Sequence, residues 1–213
     1  MINPEPAKIG DLFSTSLQFS VPRFQREYAW GKNEAMEFLE DLKSYSASEE
    51  RLFLGTLIFD ISEEQGKKTI KIVDGQQRIT TILLLLIACR NLAKNINAGR
   101  IANSIQQRIN FEDPTTAEPL GPRLIASESI KTIFDFISDY NWNNDFPARI
   151  ENKPVKRQAN RIKPIYDFFW SEIKNFNQNE LSAFLKTLYD SYVVRIDIQD
   201  AAEAFSIFER TNA

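Results

Sequence analysis

Five consecutive residues, Asp74-Gly75-Gln76-Gln77-Arg78, carry the groups best suited to hold a phosphate chain. They sit where an alternating, strand-like pattern, Lys68 to Val73, runs into a helical one that begins near Gln76. The first turn of a helix presents unpaired backbone N–H groups and a partial positive charge, and a glycine there lets an anion approach the backbone closely. Arg78 adds a permanent, planar cation. Asp74 offers the oxygen ligands that a hard cation such as magnesium requires, and Gln76 and Gln77 are neutral donors and acceptors suited to orienting phosphate oxygens or an attacking water. The same five residues also fit a tight turn in which Asp74 and Arg78 pair locally.

A second polar and aromatic cluster lies upstream, Val21-Pro22-Arg23-Phe24-Gln25-Arg26-Glu27-Tyr28-Ala29-Trp30. Gln25 and Arg26 are suited to form the wall opposite the pentad. Tyr28 and Trp30 offer faces for stacking on a base, although aromatics at such positions are more often core residues. A third cluster closes the chain, Phe205-Ser206-Ile207-Phe208-Glu209-Arg210-Thr211-Asn212. Asn212 follows Phe208 by four residues, so on a helix its amide shares the face of an apolar anchor. Glu209 is a candidate base or metal ligand, or simply an exposed helical carboxylate.

In order, spacing and content these three clusters resemble the N-terminal domain of GmrSD-type restriction proteins, domain-of-unknown-function family 262, which is related to the ParB/sulfiredoxin-like fold. The resemblance runs from about Gly10 to Ala213. It rests on Gln25, Arg26, Tyr28 and Trp30 for a Gln-Arg-x-Tyr-x-Trp segment, Phe53 to Gly55 for a Phe-Leu-Gly strand, and Asp74 to Arg78 for the pentad. Arg123 to Ile125 and the pair Phe208 and Asn212 complete it. The resemblance implies a nucleotide-binding and NTP-hydrolysing regulatory domain, with GTP favoured, that serves restriction of modified phage DNA. It implies Gln25, Arg26, Tyr28, Gly75 and Asn212 as nucleotide contacts, and Asp74, Gln76, Gln77 and Arg78 as catalytic groups with magnesium on Asp74. Family members often carry an HNH-like nuclease domain after this one, and the last motif usually continues to a glycine where this chain stops at Ala213. A C-terminal nuclease portion or partner subunit is therefore expected, as is the capacity to form a homo-oligomer.

Composition narrows the chemistry further. There is no histidine and a single cysteine, Cys89, in 213 residues. Histidine-dependent triads, His- or Cys-rich zinc sites and a histidine general base are thereby excluded from this chain. Cys89 closes the apolar run Ile82 to Cys89, where a buried small hydrophobe is expected. That run is far short of the roughly 20 apolar residues that span a bilayer. Met1 to Gly10 lacks an apolar segment, so a cytoplasmic protein without membrane contact is expected. Walker A and G-x-G-x-x-G patterns are absent. Two acidic-x-Lys triplets, Asp41-Leu42-Lys43 and Glu172-Ile173-Lys174, fall on amphipathic helical patterns and are discounted as a nuclease core.

The net charge of −3 argues against nucleic-acid binding over the whole surface. From Arg149 to Lys163, however, six cations face the single carboxylate Glu151, a local +5. Lys156, Arg157 and Arg161 in this run are the candidate DNA contacts, with a solvated helical face as the plainer reading. A DNA-binding or assembly module without turnover is the alternative function.

The elements that must position these residues follow from periodicity. Ile9 to Ser14 reads as a short helix or turn and Leu17 to Val21 as a strand. Asn33 is the expected N-cap of a helix reaching about Tyr45. Leu52 to Ile61, apolar on both faces, and Lys68 to Val73 form an expected hairpin that delivers the pentad, and Gln76 to about Lys94 reads as the central buried helix. Asn110 to Pro122 reads as a long loop. Three apolar stripes then predict helices around Ile130 to Ile137, Ile165 to Ile173 and Leu181 to Leu188, with Pro164 kinking the second or lying near its start. Tyr192 to Ile198 reads as a strand, and Asp200 to Glu203 as a capping-box start for a last helix. The sequence thus predicts an α+β fold, a small mixed ParB/sulfiredoxin-like sheet with packed helices followed by a mainly helical subdomain. The expected division is a nucleotide-binding core over 1–110, a helical subdomain over 111–191, and a strand and helix over 192–213 that return to the core.

Overall fold

The computed structural model describes residues 4–14, 17–22, 25–46, 50–61, 69–112, 116, 118–138, 150–200 and 206. Alternating and doubly apolar segments form one six-stranded mixed sheet. Its strands are β1 (Pro4–Lys8), β2 (Gln18–Ser20), β3 (Phe53–Asp60), β4 (Thr69–Asp74), β7 (Leu124–Ile125) and β8 (Tyr192–Ile198), in the order β1-β8-β3-β4-β2-β7. β3 and β4 are antiparallel, the expected hairpin. β8 lies parallel to β3 and antiparallel to β1, while β4, β2 and β7 run parallel.

Helices cover the sheet. The short α1 (Ile9–Leu12) follows β1, and α2 (Lys32–Tyr45) follows the upstream motif. α3 (Gln76–Asn95) buries an unbroken run from Ile79 to Ala93, as its all-round apolar sequence requires. It packs against α4 (Gly99–Ile109), α5 (Glu128–Ser138), α6 (Lys153–Ile173) and α7 (Gln178–Asp190). α5, α6 and α7 make the mainly helical region, so the general α+β class and the helical region after the first sheet strands hold. Cys89 is fully buried in α3, and burial pushes its thiol well above the usual range. Leu42 and Ile173, the centres of the two acidic-x-Lys triplets, are core residues, and Lys43 pairs with Glu172 across α2 and α6. Both triplets therefore serve helix packing. No helix among the described residues is long and apolar enough to cross a membrane.

Two local expectations are corrected. α2 begins at Lys32 with Gly31 as N-cap, not Asn33, because the Glu34 carboxylate reaches back to accept the Gly31 N–H at 2.9 Å. Asn110 to Pro122 is not a plain loop, since β5 (Asn110–Glu112) and β6 (Pro119–Pro122) pair as an antiparallel ribbon. Of the two placements open to Pro164, the structure rules out the helix start and puts it well inside α6, which starts at Lys153 with Asn152 accepting the Val155 N–H. β1 and α4 went unread. β1 carries Pro4 and Pro6, which a sheet edge tolerates because one side of an edge strand has no ladder to break. The turn between β3 and β4 lies outside the described residues, as do residues 201–203 of the cap expected at Asp200.

Candidate functional site

The pentad occupies the carboxyl end of β4. Asp74 closes the strand, Gly75 takes a left-handed conformation with φ +98°, and Gln76 opens α3. Gly75 gives the helix no side-chain cap, and the first turn of α3 contains no acidic residue. Its N–H groups and partial positive charge are thus left to whatever occupies the space in front of them. β2 is the parallel neighbour of β4, so the 25–30 segment leaves the same end of the sheet. The two strand ends enclose a cleft of about 190 Å³, with Arg26 and Trp30 on one side and Asp74 to Arg78 on the other. Ligand sites recur outside the carboxyl ends of adjacent parallel strands for this reason.

Within the cleft the side chains divide by what already holds them. Gln25 donates to the carbonyls of Ile72 and Val73, pinning the upstream segment to the end of β4. Gln77 accepts the N–H groups of Ala29 at 2.7 Å and Trp30 at 3.2 Å and donates to the Glu27 carbonyl at 3.4 Å. Both glutamines thereby build the cleft. Arg78 donates through Nη1 to the Thr56 carbonyl at 3.0 Å. No ion pair within 4.0 Å joins it to Asp74 among the described residues, so the locally paired turn is not what forms. Burial draws the Arg78 guanidinium below its usual value, and the nearby Asp74 charge opposes this. Asp74 and the Gln76 amide have no hydrogen-bond partner among the described residues, and Arg26 is exposed.

The Phe53 to Gly55 strand motif acquires a reason here. Gly55 has φ +90°, and a Cβ at that position would stand 2.7 Å from Arg78 Nη2. The glycine makes room for the guanidinium. Arg123, in the Arg-Leu-Ile motif, is 3% exposed and donates to the carbonyls of Leu17, Gln107, Arg108 and Asn110. It is a structural node between β2, α4 and β7.

Tyr28 stands apart from the cleft. It is 1% exposed, its hydroxyl meets Thr81 Oγ1 at 2.8 Å, and burial raises its ionisation far above the ordinary range. Asn212, Phe208 and Glu209 lie outside the described residues. On α6, Lys156 is exposed, but Arg157 and Arg161 turn to the upstream segment. Arg157 pairs with the Glu27 carboxylate, and Arg161 donates to the Ala29 carbonyl at 2.6 Å. Glu27 went unremarked in the sequence, since nothing local marks a carboxylate whose partners lie on distant helices.

Glu27 also accepts from Gln158 Nε2 at 2.9 Å and Ser129 Oγ at 3.3 Å. Burial raises its carboxyl, but these donors and the Arg157 charge outweigh it and hold the group below the usual value. A carboxylate depressed in the folded state stabilises the protein above its unfolded pKa and ceases to do so as pH falls through the folded value. The difference in melting temperature between wild type and Glu27→Gln is therefore expected to be largest near neutrality and to shrink on acidification below the ordinary carboxylate range. A difference that stays constant across that titration contradicts the assignment.

Residues 9–213 match the family of the GmrSD restriction endonuclease, N-terminal domain, and the chain belongs to that family. No curated protein gives a match.

Proposed function

We propose that this chain is the nucleotide-binding regulatory domain of a modification-dependent, anti-phage restriction protein, on a ParB/sulfiredoxin-like core, and that its cleft binds and hydrolyses a nucleoside triphosphate. The observation that carries this reading is the uncapped start of α3, facing a cleft that also presents Arg26 and Arg78. Backbone donors, a helix dipole and two arginines converging on one space suit a chain of phosphates.

Magnesium fits as an ion carried by the triphosphate. No group of three or more His, Cys, Asp or Glu residues able to hold a metal occurs among the described residues. Magnesium bound to nucleotides commonly needs only one or two carboxylates besides phosphate oxygens and water. Asp74 supplies one, without a competing ion pair. Bound there, magnesium would neutralise phosphate charge. Arg78 and the α3 N–H groups would hold phosphate oxygens, Gln76 would orient a water, and Trp30 offers an aromatic face at the rim.

Calorimetric titration with GTP, ATP, CTP and UTP in the presence of magnesium, combined with a phosphate-release assay, tests the proposal. Folded protein that binds none of the four at millimolar concentration refutes it. Asp74→Ala is expected to remove the magnesium dependence of hydrolysis while metal-free nucleotide binding persists. Equal magnesium dependence in wild type and Asp74→Ala would displace the metal role from this carboxylate. DNA contact by α6 draws weaker support, because Arg157 and Arg161 are already bonded to the upstream segment and leave fewer unengaged cations than the sequence charge suggests.

A further inference from the structure

The 25–30 segment carries Arg26 and Trp30 into the cleft but has no helix or strand of its own. Side-chain bonds fix its position, and they grip it from two sides. On the inner side, Gln77 of the pentad holds the Ala29 and Trp30 N–H groups and the Glu27 carbonyl. On the outer side, Arg157, Gln158 and Ser129 hold the Glu27 carboxylate, and Arg161 holds the Ala29 carbonyl. Glu27 and Ala29 are thus each bonded at one end to the cleft and at the other to α6.

The geometry points to Glu27 as a positioning residue: with Arg157, Gln158 and Arg161 it forms a clamp that sets the cleft wall and thereby the affinity of the site for its phosphate ligand. This rests on the nucleotide-binding reading above.

Two features separate a clamp from ordinary fold stabilisation. Arg157 is 68% exposed, and an exposed ion pair adds little to stability. Gln158 is 2% exposed, yet its Oε1 has no partner. A buried, unmet acceptor is a cost that an apolar residue of similar size would avoid. The bond that Gln158 Nε2 makes to Glu27 is the interaction that the amide supplies and an apolar side chain would not. Its effect is local, on the stance of the segment.

The test uses the full chain with Trp142→Phe and Trp170→Phe, which leaves Trp30 as the sole tryptophan. Acrylamide quenching of Trp30, the melting temperature and the Kd for magnesium–GTP are measured in Glu27→Ala, Gln158→Met, Arg157→Glu and the swap Glu27→Lys with Arg157→Glu. We expect the single variants to expose Trp30 and to weaken magnesium–GTP at least roughly fivefold, the low end for coupled sites. Gln158→Met should melt at or above the wild-type temperature. The swap should recover both quenching and Kd, since the Gln158 amide can accept from Lys as readily as it donates to Glu. Unchanged quenching across the single variants overturns the inference, as do losses that simply track the melting temperature. Should wild type bind no nucleotide, the proposed function is what has failed, and quenching decides the clamp by itself.

Discussion

Arg78→Ala is expected to lower the affinity for magnesium–GTP on the order of tenfold or more, about 1.5 to 3 kcal/mol for losing a charge-assisted bond to phosphate. The guanidinium has a second task, donating from α3 to the Thr56 carbonyl in β3. Its removal should therefore also cost about 0.5 to 1.5 kcal/mol of stability in the free protein, the range for a single hydrogen bond. The two effects separate in Arg78→Lys. Lysine keeps the charge but lacks the planar fork, so part of the affinity should return while the geometry at Gly55 and Thr56 stays perturbed. Calorimetry on samples shown to be folded by their melting curves makes the measurement. Wild-type affinity in a folded Arg78→Ala protein would remove Arg78 from phosphate recognition.

The largest effect on stability is expected at Gly75. Its φ of +98° is a conformation that L side chains rarely adopt, and a Cβ there would stand 2.2 Å from Leu57 Cδ2 in the core. Gly75→Ala combines backbone strain with overpacking, together about 2 to 5 kcal/mol. Gly99 is the internal control, because a Cβ added there meets nothing within 4 Å. Gly99→Ala should leave stability unchanged or slightly raised. Urea denaturation of the two variants side by side reads the contrast, and equal midpoints would contradict the conformation assigned to Gly75.

The placement of these two residues was legible in sequence because it is local: a strand, a glycine and a helix start in direct succession define the pentad. The central helix was legible for a similar reason, since the apolar run Ile82 to Cys89 leaves no face for water. Other features required tertiary information. The Glu27–Arg157 contact spans 130 residues, and no periodicity links its partners. Gln25 was expected in the wall opposite the pentad, and Gln77 was expected to orient phosphate oxygens or a water; both line the cleft. What the sequence did not show is that each also bonds backbone groups of the neighbouring wall, because those partners lie some 47 to 50 residues away. Tyr28 lay in a motif with cleft residues on both sides, yet it points to Thr81 of α3. β1 was hidden by its prolines, and the β5–β6 ribbon by a composition rich in Pro, Thr, Asp and Gly.

The position of β8 has a consequence for how the protein is made. β8 is the last strand among the described residues, yet it sits second from one edge and joins β1 to β3. A nascent chain that has emerged only as far as Asp190 holds β1 with no neighbour and β3 with one side bare, an open template for pairing with other chains. Final closure of the sheet must await residues 192–198, which have to insert between two strands synthesised long before them. Such long-range pairing is slow. The ribosome-bound intermediate is therefore the species most exposed to aggregation, and delaying or deleting β8 should harm yield far more than its seven residues suggest.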